Sequence, residues 1–238
     1  MPAAIRRTLL PKVDGEEAET VLHVDDAAGL LALAQFGIVE IHCRGSRVVS
    51  PMSPNRLVFD LDPDERLGWS AVIDAALLLR DRLSDIGFTP FVKTTGGKGL
   101  HVVIPVKPRL SWPKVIPFAE GFAIALVKAD PDRFTAQLAK KSRKGRIFID
   151  YLHNDRTATA VAAYSLRARA CLPVATPIGW DELKQTQDPC AFDYRSVPVR
   201  LAQLTKDPWR DLDSAARVIS KRAWQFVGLP GQAGKEES

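Results

Sequence analysis

The chain has 238 residues, 46% of them hydrophobic, and carries a formal net charge of +5 with a pI near 9.2. That length supports one sizeable core or two small lobes, and the positive balance leans toward a polyanionic partner such as nucleic acid. No apolar run approaches a membrane span and no secretory leader is visible in Met1–Leu10. Three cysteines (Cys43, Cys171, Cys190) without Cys-x-x-Cys spacing argue against a disulfide framework or zinc, and for a reduced, cytoplasmic compartment.

In chain order, residues 1–20 are polar and irregular, and Val21–Val24 reads as a short strand. Asp25 or Asp26 caps a helix through Leu30, Leu31, Leu33 and Ala34, which Gly37 ends. Ile38–Cys43 alternates as a strand, with Glu40 and His42 on one face; His42 reads as structural or surface-exposed. Leu57, Val58, Phe59 and Leu61 form a buried strand that Pro63 ends, and Trp69–Ile86 is an amphipathic helix stopped by Gly87. Strands at Phe88–Lys93 and Leu100–Val106 flank Thr94-Thr95-Gly96-Gly97-Lys98-Gly99. A second long helix spans Trp112–Ala129, and a short one is expected over Asp132–Ala139. The basic run Lys140–Arg146 leads into the strand Ile147–Asp150. Further strands are expected at Ala158–Ala163 and Tyr164–Arg169, and a helix at Leu212–Trp224. The tail Gly228–Ser238 has the composition of a disordered segment, so one domain is expected over 1–227.

Three features carry chemistry. Asp60 and Asp62 are spaced i, i+2 on a strand, so both carboxylates face one way, roughly 6–7 Å apart at the backbone. Convergent carboxylates repel unless a cation or a proton lies between them, and a hard divalent ion with oxygen ligands fits. Asp150 ends a second apolar strand and would complete a three-carboxylate cage for two such ions. The glycine loop frees backbone N–H groups to face an anion, with Lys98 as a point charge and Thr95 and His101 beside it. It is not a Walker A loop, because Gly99 follows the lysine. Arg167 and Arg169, on one face of the expected strand, suit a triphosphate gripped by planar guanidiniums. The run Lys140–Arg146 reads as a solvated loop or a contact to a nucleic-acid backbone.

Arg56–Pro63, Phe91–His101, Phe148–Leu152 and Tyr164–Arg169 together resemble the successive motifs of the polymerase domain of bacterial DNA ligase D, within the archaeo-eukaryotic primase superfamily. The resemblance runs from about Ile5 to about Trp209. It implies an α/β fold with a mainly antiparallel catalytic sheet and flanking helices. By the same resemblance Asp60, Asp62 and Asp150 hold two manganese or magnesium ions. Thr95 (in place of the usual serine), Lys98, His101, Arg167 and Arg169 contact the nucleotide's phosphates. The implied activity is addition of nucleotides, by preference ribonucleotides, to DNA 3′ ends in non-homologous end joining, beside a DNA ligase and the end-binding protein Ku.

Two departures stand out. His153 occupies a position where many members carry arginine, and a basic, aromatic N-terminal segment that holds the template and 5′-phosphate is expected upstream of Met1. Without it, the remaining basic surface includes Arg6, Arg7, Lys12 and Lys140–Arg146, and weak primer extension is expected. Two other readings stay open. One is a nucleotide- or DNA-end-binding module that does not polymerise. The other is a haloacid-dehalogenase-type phosphatase with Asp60 as nucleophile and Asp62 as acid/base, which leaves His101, Arg167 and Arg169 without a role.

Overall fold

The structure is a computed structural model that describes residues 2–10, 18–188 and 191–231. Its centre is a six-stranded sheet built from β4 (Arg56–Pro63), β5 (Phe91–Thr94), β6 (Leu100–Pro105), β7 (Phe134–Thr135), β8 (Ile147–Asp150) and β10 (Pro177–Ile178). The strand order is β10-β5-β6-β4-β8-β7, and only the β7–β8 pair is parallel. Two ribbons lie outside it: β1 (Arg6–Leu9) with β2 (Thr20–His23), and β3 (His42–Arg44) with β9 (Thr159–Val161). This is the expected mixed α/β fold with a mainly antiparallel sheet.

The two faces of β4 divide the molecule. Leu57, Phe59 and Leu61 are fully buried and face the helical layer. That layer holds α2 (Trp69–Asp85) and α3 (Trp112–Ala129), whose apolar stripes enter the same core. Phe59 packs on Phe122 with ring centroids 4.9 Å apart, and Phe118 reaches Phe88 on one side and Trp224 on the other. Each such side chain contributes about 1.5–3 kcal/mol on burial. Arg56, Asp60 and Asp62 point to the opposite face, part of it roofed by the β3–β9 ribbon.

Local rules set several boundaries. Asp26 caps α1 (Ala27–Gln35) by accepting from the Gly29 N–H at 2.9 Å. Gly87, at φ +95°, ends α2: its N–H bonds the Ser84 carbonyl and the Phe88 N–H bonds the Leu83 carbonyl. That left-handed cap drops Phe88 directly into the core.

Elsewhere tertiary contacts overrule local pattern. The helix expected over Asp132–Ala139 is absent. Phe134 is fully buried as part of β7, and pairing with Ile147 at the sheet edge outweighs helical propensity. Tyr164–Arg169 forms no strand, only an isolated bridge from Leu166 to Val174, because Tyr164 sits at φ +62° and breaks the alternation. The helix expected at Leu212–Trp224 shrinks to α6 (Lys221–Phe226), since Arg217 exchanges backbone bonds with Pro105 and Lys107 instead. Residues 1–20 hold a strand, β1, which the polar composition concealed. Two short helices, α4 (Trp180–Gln185) and α5 (Ser196–Gln203), were not anticipated. Leu229 packs against the core, while 232–238, Lys12 and Cys190 lie outside the described residues. Among the described residues, no helix is long and apolar enough to cross a membrane, and Cys43 and Cys171 are free thiols.

Candidate active site

Register brings the site together. Asp60 on β4 lies directly across from Asp150 on β8 and, on its other side, from His101 on β6; His101 in turn faces Lys93 on β5. Directly opposed residues share a face, so Lys93, His101, Asp60 and Asp150 form one polar row across four strands. Asp62 stands two residues along β4 on that face. Asn154 locks the row from behind. Its side-chain oxygen accepts from the Val58 N–H, and its amide donates to the Val58 and Tyr151 carbonyls, all at 2.7–2.8 Å.

The glycine loop closes over the end of β4 as a tight β5–β6 connection. Thr95 bonds the Gly99 carbonyl through its hydroxyl at 3.1 Å. A Cβ on Gly99 would lie 2.5 Å from the Leu61 carbonyl oxygen, so only glycine lets the loop approach this strand. Gly96, at φ +66°, makes the turn that places Arg167 against it. Lys98 donates to the Pro63 carbonyl at 2.7 Å and stands 3.5 Å from Asp62.

Arg167 and Arg169 do converge on the loop, though by a turn and not by strand alternation. Arg167 donates to the Thr95 carbonyl at 2.6 Å, and Glu40 stands 3.0 Å from its Nε. Glu40 also bonds His42 and accepts from the Ala168 N–H. Hydrogen bonds from His42 and Ala168, against a small cost of burial, and the charge of Arg167 hold the Glu40 carboxyl down at about 2. Glu40 is thus the anchor of the arginine segment, a role the sequence hinted at only through its i, i+2 spacing with His42.

These groups line a cleft of about 210 Å³, with Asp60 and Asp62 on one side and Thr95, Lys98, Arg167 and Arg169 on the other. His101 and His153 line it too, and Asp150 adjoins it as the register partner of Asp60. All eight residues singled out from sequence therefore stand in or beside one cleft. His153, noted earlier only as a departure, sits with its Nε2 3.6 Å from Asp60 and 4.0 Å from Asp150. Arg143, from the basic run, turns inward: it donates to Asp62 at 3.0 Å and stacks 3.8 Å over the Phe148 ring centroid.

The charges show what the cleft is suited to hold. Burial works against the Asp60 charge, yet His101 and His153 beside it keep its carboxyl below the usual range. Burial and the neighbouring Asp60 charge raise Asp150. Burial and the charge of Lys93 push His101 down to about 4, so it is neutral at pH 7, whereas hydrogen bonding to Asp60 raises His153. Asp62 has Lys98 and Arg143 beside it, while Asp60 and Asp150 share His153, in the place where a metal ion would relieve the same repulsion. Asp60, His101 and His153 can each offer one ligand atom within a 4.8 Å cluster, a donor set containing Asp60 but not Asp62 or Asp150. The carboxylates suit magnesium or manganese, whereas the two imidazole nitrogens favour a transition-metal ion over magnesium.

The family model described as the LigD primase-polymerase domain matches residues 1–209. The chain belongs to this family. Its members are nucleotidyltransferases, and membership sets the phosphatase reading aside. The multifunctional non-homologous end joining protein LigD of Pseudomonas aeruginosa is 38% identical over 209 residues, covering 87% of this chain and 25% of that protein. The LigD DNA repair protein of Mycobacterium tuberculosis is 35% identical over 208 residues, covering 83% of the chain and 27% of that protein. The chain thus spans about a quarter of the length of these curated relatives. Among solved structures, the polymerase domain of M. tuberculosis ligase D in complex with DNA superposes with a TM-score of 0.79 at 33% identity, over 90% of this chain and 76% of that one.

Proposed function

We propose that the chain is a divalent-metal-dependent nucleotidyltransferase that adds nucleotides, by preference ribonucleotides, to DNA 3′ ends during non-homologous end joining. The observation that supports this reading is the register of β4 and β8, which sets Asp60 opposite Asp150 with Asp62 alongside, next to a cationic glycine loop. Asp60, Asp62 and Asp150 would hold two magnesium or manganese ions, with His101 and His153 at the border of that set. When bound, such ions supply Lewis acidity to a 3′-hydroxyl and to a leaving pyrophosphate.

The chain's own residues do the remaining work. Lys98, Arg169 and Arg167 bind the triphosphate, and the glycine-loop N–H groups offset charge that grows on it. Neutral His101 donates a hydrogen bond to a phosphate oxygen. Glu40 and the Thr95 carbonyl hold Arg167 in place, which lowers the cost of ordering it at each turnover. Arg143 and Lys98 neutralise Asp62 in the metal-free protein and would give way to ions held by its oxygens. A DNA ligase and Ku are the proposed protein partners, in a cytoplasmic setting.

A primer-extension assay with manganese and ribonucleotides, run beside a DNA gel shift, tests this. Extension that requires metal and is lost in Asp60→Asn supports it. DNA or nucleotide binding with no extension under any metal would instead identify a binding module.

A further inference from the structure

A further enclosure lies behind the cleft, on the same face of the sheet. It is a chamber of about 190 Å³ that shares His101 and Val161 with the cleft as common walls. Its floor is the sheet itself: Lys93, His101 and Val103 at one side, Val58 and Arg56 at the other. The segment Ala160–Ala163 and the side chain of Trp209 roof it.

Two cations line this chamber, and among the described residues no carboxylate does. Lys93 is 2% exposed, and its ammonium has no hydrogen-bond partner among the described residues. The Nδ1 atom of His101, also buried, is likewise unpartnered. The Arg56 guanidinium donates to the Arg44 carbonyl at 2.7 Å, a contact that satisfies a hydrogen bond but supplies no countercharge. Water entering the chamber would satisfy donors without neutralising charge, so the Lys93 amine keeps its proton at neutral pH more readily when an opposite charge lies beside it. Asp60, the nearest acid on the row, lies beyond His101 and is already shared with both histidines. A largely apolar space lined by an unpartnered lysine and an arginine, with no carboxylate on its walls, suits an anion. Burial also depresses both cations, to about 7 for Lys93, against smaller opposing pulls from Asp60 on Lys93 and Asp213 on Arg56.

We propose that the chamber between Lys93 and Arg56 binds one small inorganic oxyanion of the phosphate class, independently of the nucleotide pocket formed by Lys98, Arg167 and Arg169. The assignment does not rest on the polymerase reading. An occupant would complete the hydrogen bonding of the Lys93 ammonium.

The test is thermal unfolding of the whole chain, metal-free and at low ionic strength, across a sodium phosphate titration. The expected result is a saturable rise in Tm that survives in the Lys98→Gln/Arg169→Gln double variant, where the nucleotide pocket is weakened. Lys93→Met should weaken the phosphate response at least tenfold. Because that variant relieves a buried charge and changes packing, Arg56→Gln provides a second reading, expected to weaken the response in the same direction. Thymidine 5′-monophosphate should not replace phosphate in the double variant. No phosphate response in the wild type, or a response unchanged in both Lys93→Met and Arg56→Gln, overturns the proposal. So does its loss in the double variant, or equal stabilisation there by the nucleotide, which would place the phosphate in the substrate path.

Discussion

At the scale of single residues, Asp60 is where the opposing demands meet. It faces Asp150 across one strand gap and His101 across the other, with His153 above it. Asp150→Asn keeps an oxygen to accept from the Leu152 N–H but removes one of two opposed charges. Nucleotide transfer should fall by orders of magnitude while the metal-free Tm stays level or rises. Near-normal incorporation by this variant would refute the three-carboxylate arrangement. His153 gives a pH dependence with a defined sign. Its pKa is raised by Asp60, so its ion pair stabilises the metal-free fold below the ordinary histidine value and is lost as pH rises through the folded one. The proton competes with a metal ion for Asp60, so manganese affinity should climb with pH over that window, and should climb less in His153→Gln. A titration calorimetry series across pH measures both. Glu40 has the opposite sign. Its contribution is fully present above 4.5 and is lost as pH falls toward 2, so the stability gap between wild type and Glu40→Gln should close over that interval. At neutral pH the same variant should raise nucleotide KM more than it lowers kcat, since Arg167 loses its ionic partner.

At the scale of elements, two joints hold the site in register. Gly99 lies against the Leu61 carbonyl, and a methyl group there would also come within 3.3 Å of Asp60 Oδ1. Gly99→Ala must push the loop off β4, at a cost of about 1–3 kcal/mol, and should impair transfer beyond its effect on Tm. Unchanged kinetics in a folded Gly99→Ala would show that loop and carboxylates are not coupled. Asn154 pairs with both backbone groups of Val58 from the turn after β8. Removing it strands a buried N–H and two carbonyls, so Asn154→Ala should lose about 2–4 kcal/mol in denaturant unfolding.

At the scale of the whole molecule, the helical layer and the open face make separable contributions. The core beneath β4 is continuous from α2 through α3 to Trp224. The opposite face holds like-charged carboxylates whose repulsion an ion would relieve. Manganese should therefore raise Tm, by about 2.7 kcal/mol of added stability at a free concentration one hundred times its Kd. The gain should vanish in Asp60→Asn, and persistence there would place the ion elsewhere.

Much of this was readable from residue order alone. The i, i+2 carboxylates, the apolar runs around them and the glycine loop are local patterns, and alternation along one strand suffices to put Asp60 and Asp62 on one side. The periodicity of α2 and α3 is equally local, as is the stop at Gly87. Three things depended on the tertiary structure. Which residue faces Asp60 is a matter of register between strands some forty and ninety residues away in sequence, and no short-range signal encodes it. Phe134, Tyr164 and Arg217 took non-local backbone partners or a left-handed turn that their neighbours in sequence did not announce. Lys93 reads in sequence as an ordinary strand lysine; it becomes a buried, unpartnered charge only because the β3–β9 ribbon and Trp209 close over it. Side-chain alternation and helical period are set by covalent geometry within a few residues, whereas burial and pairing are set by what the rest of the chain packs against them.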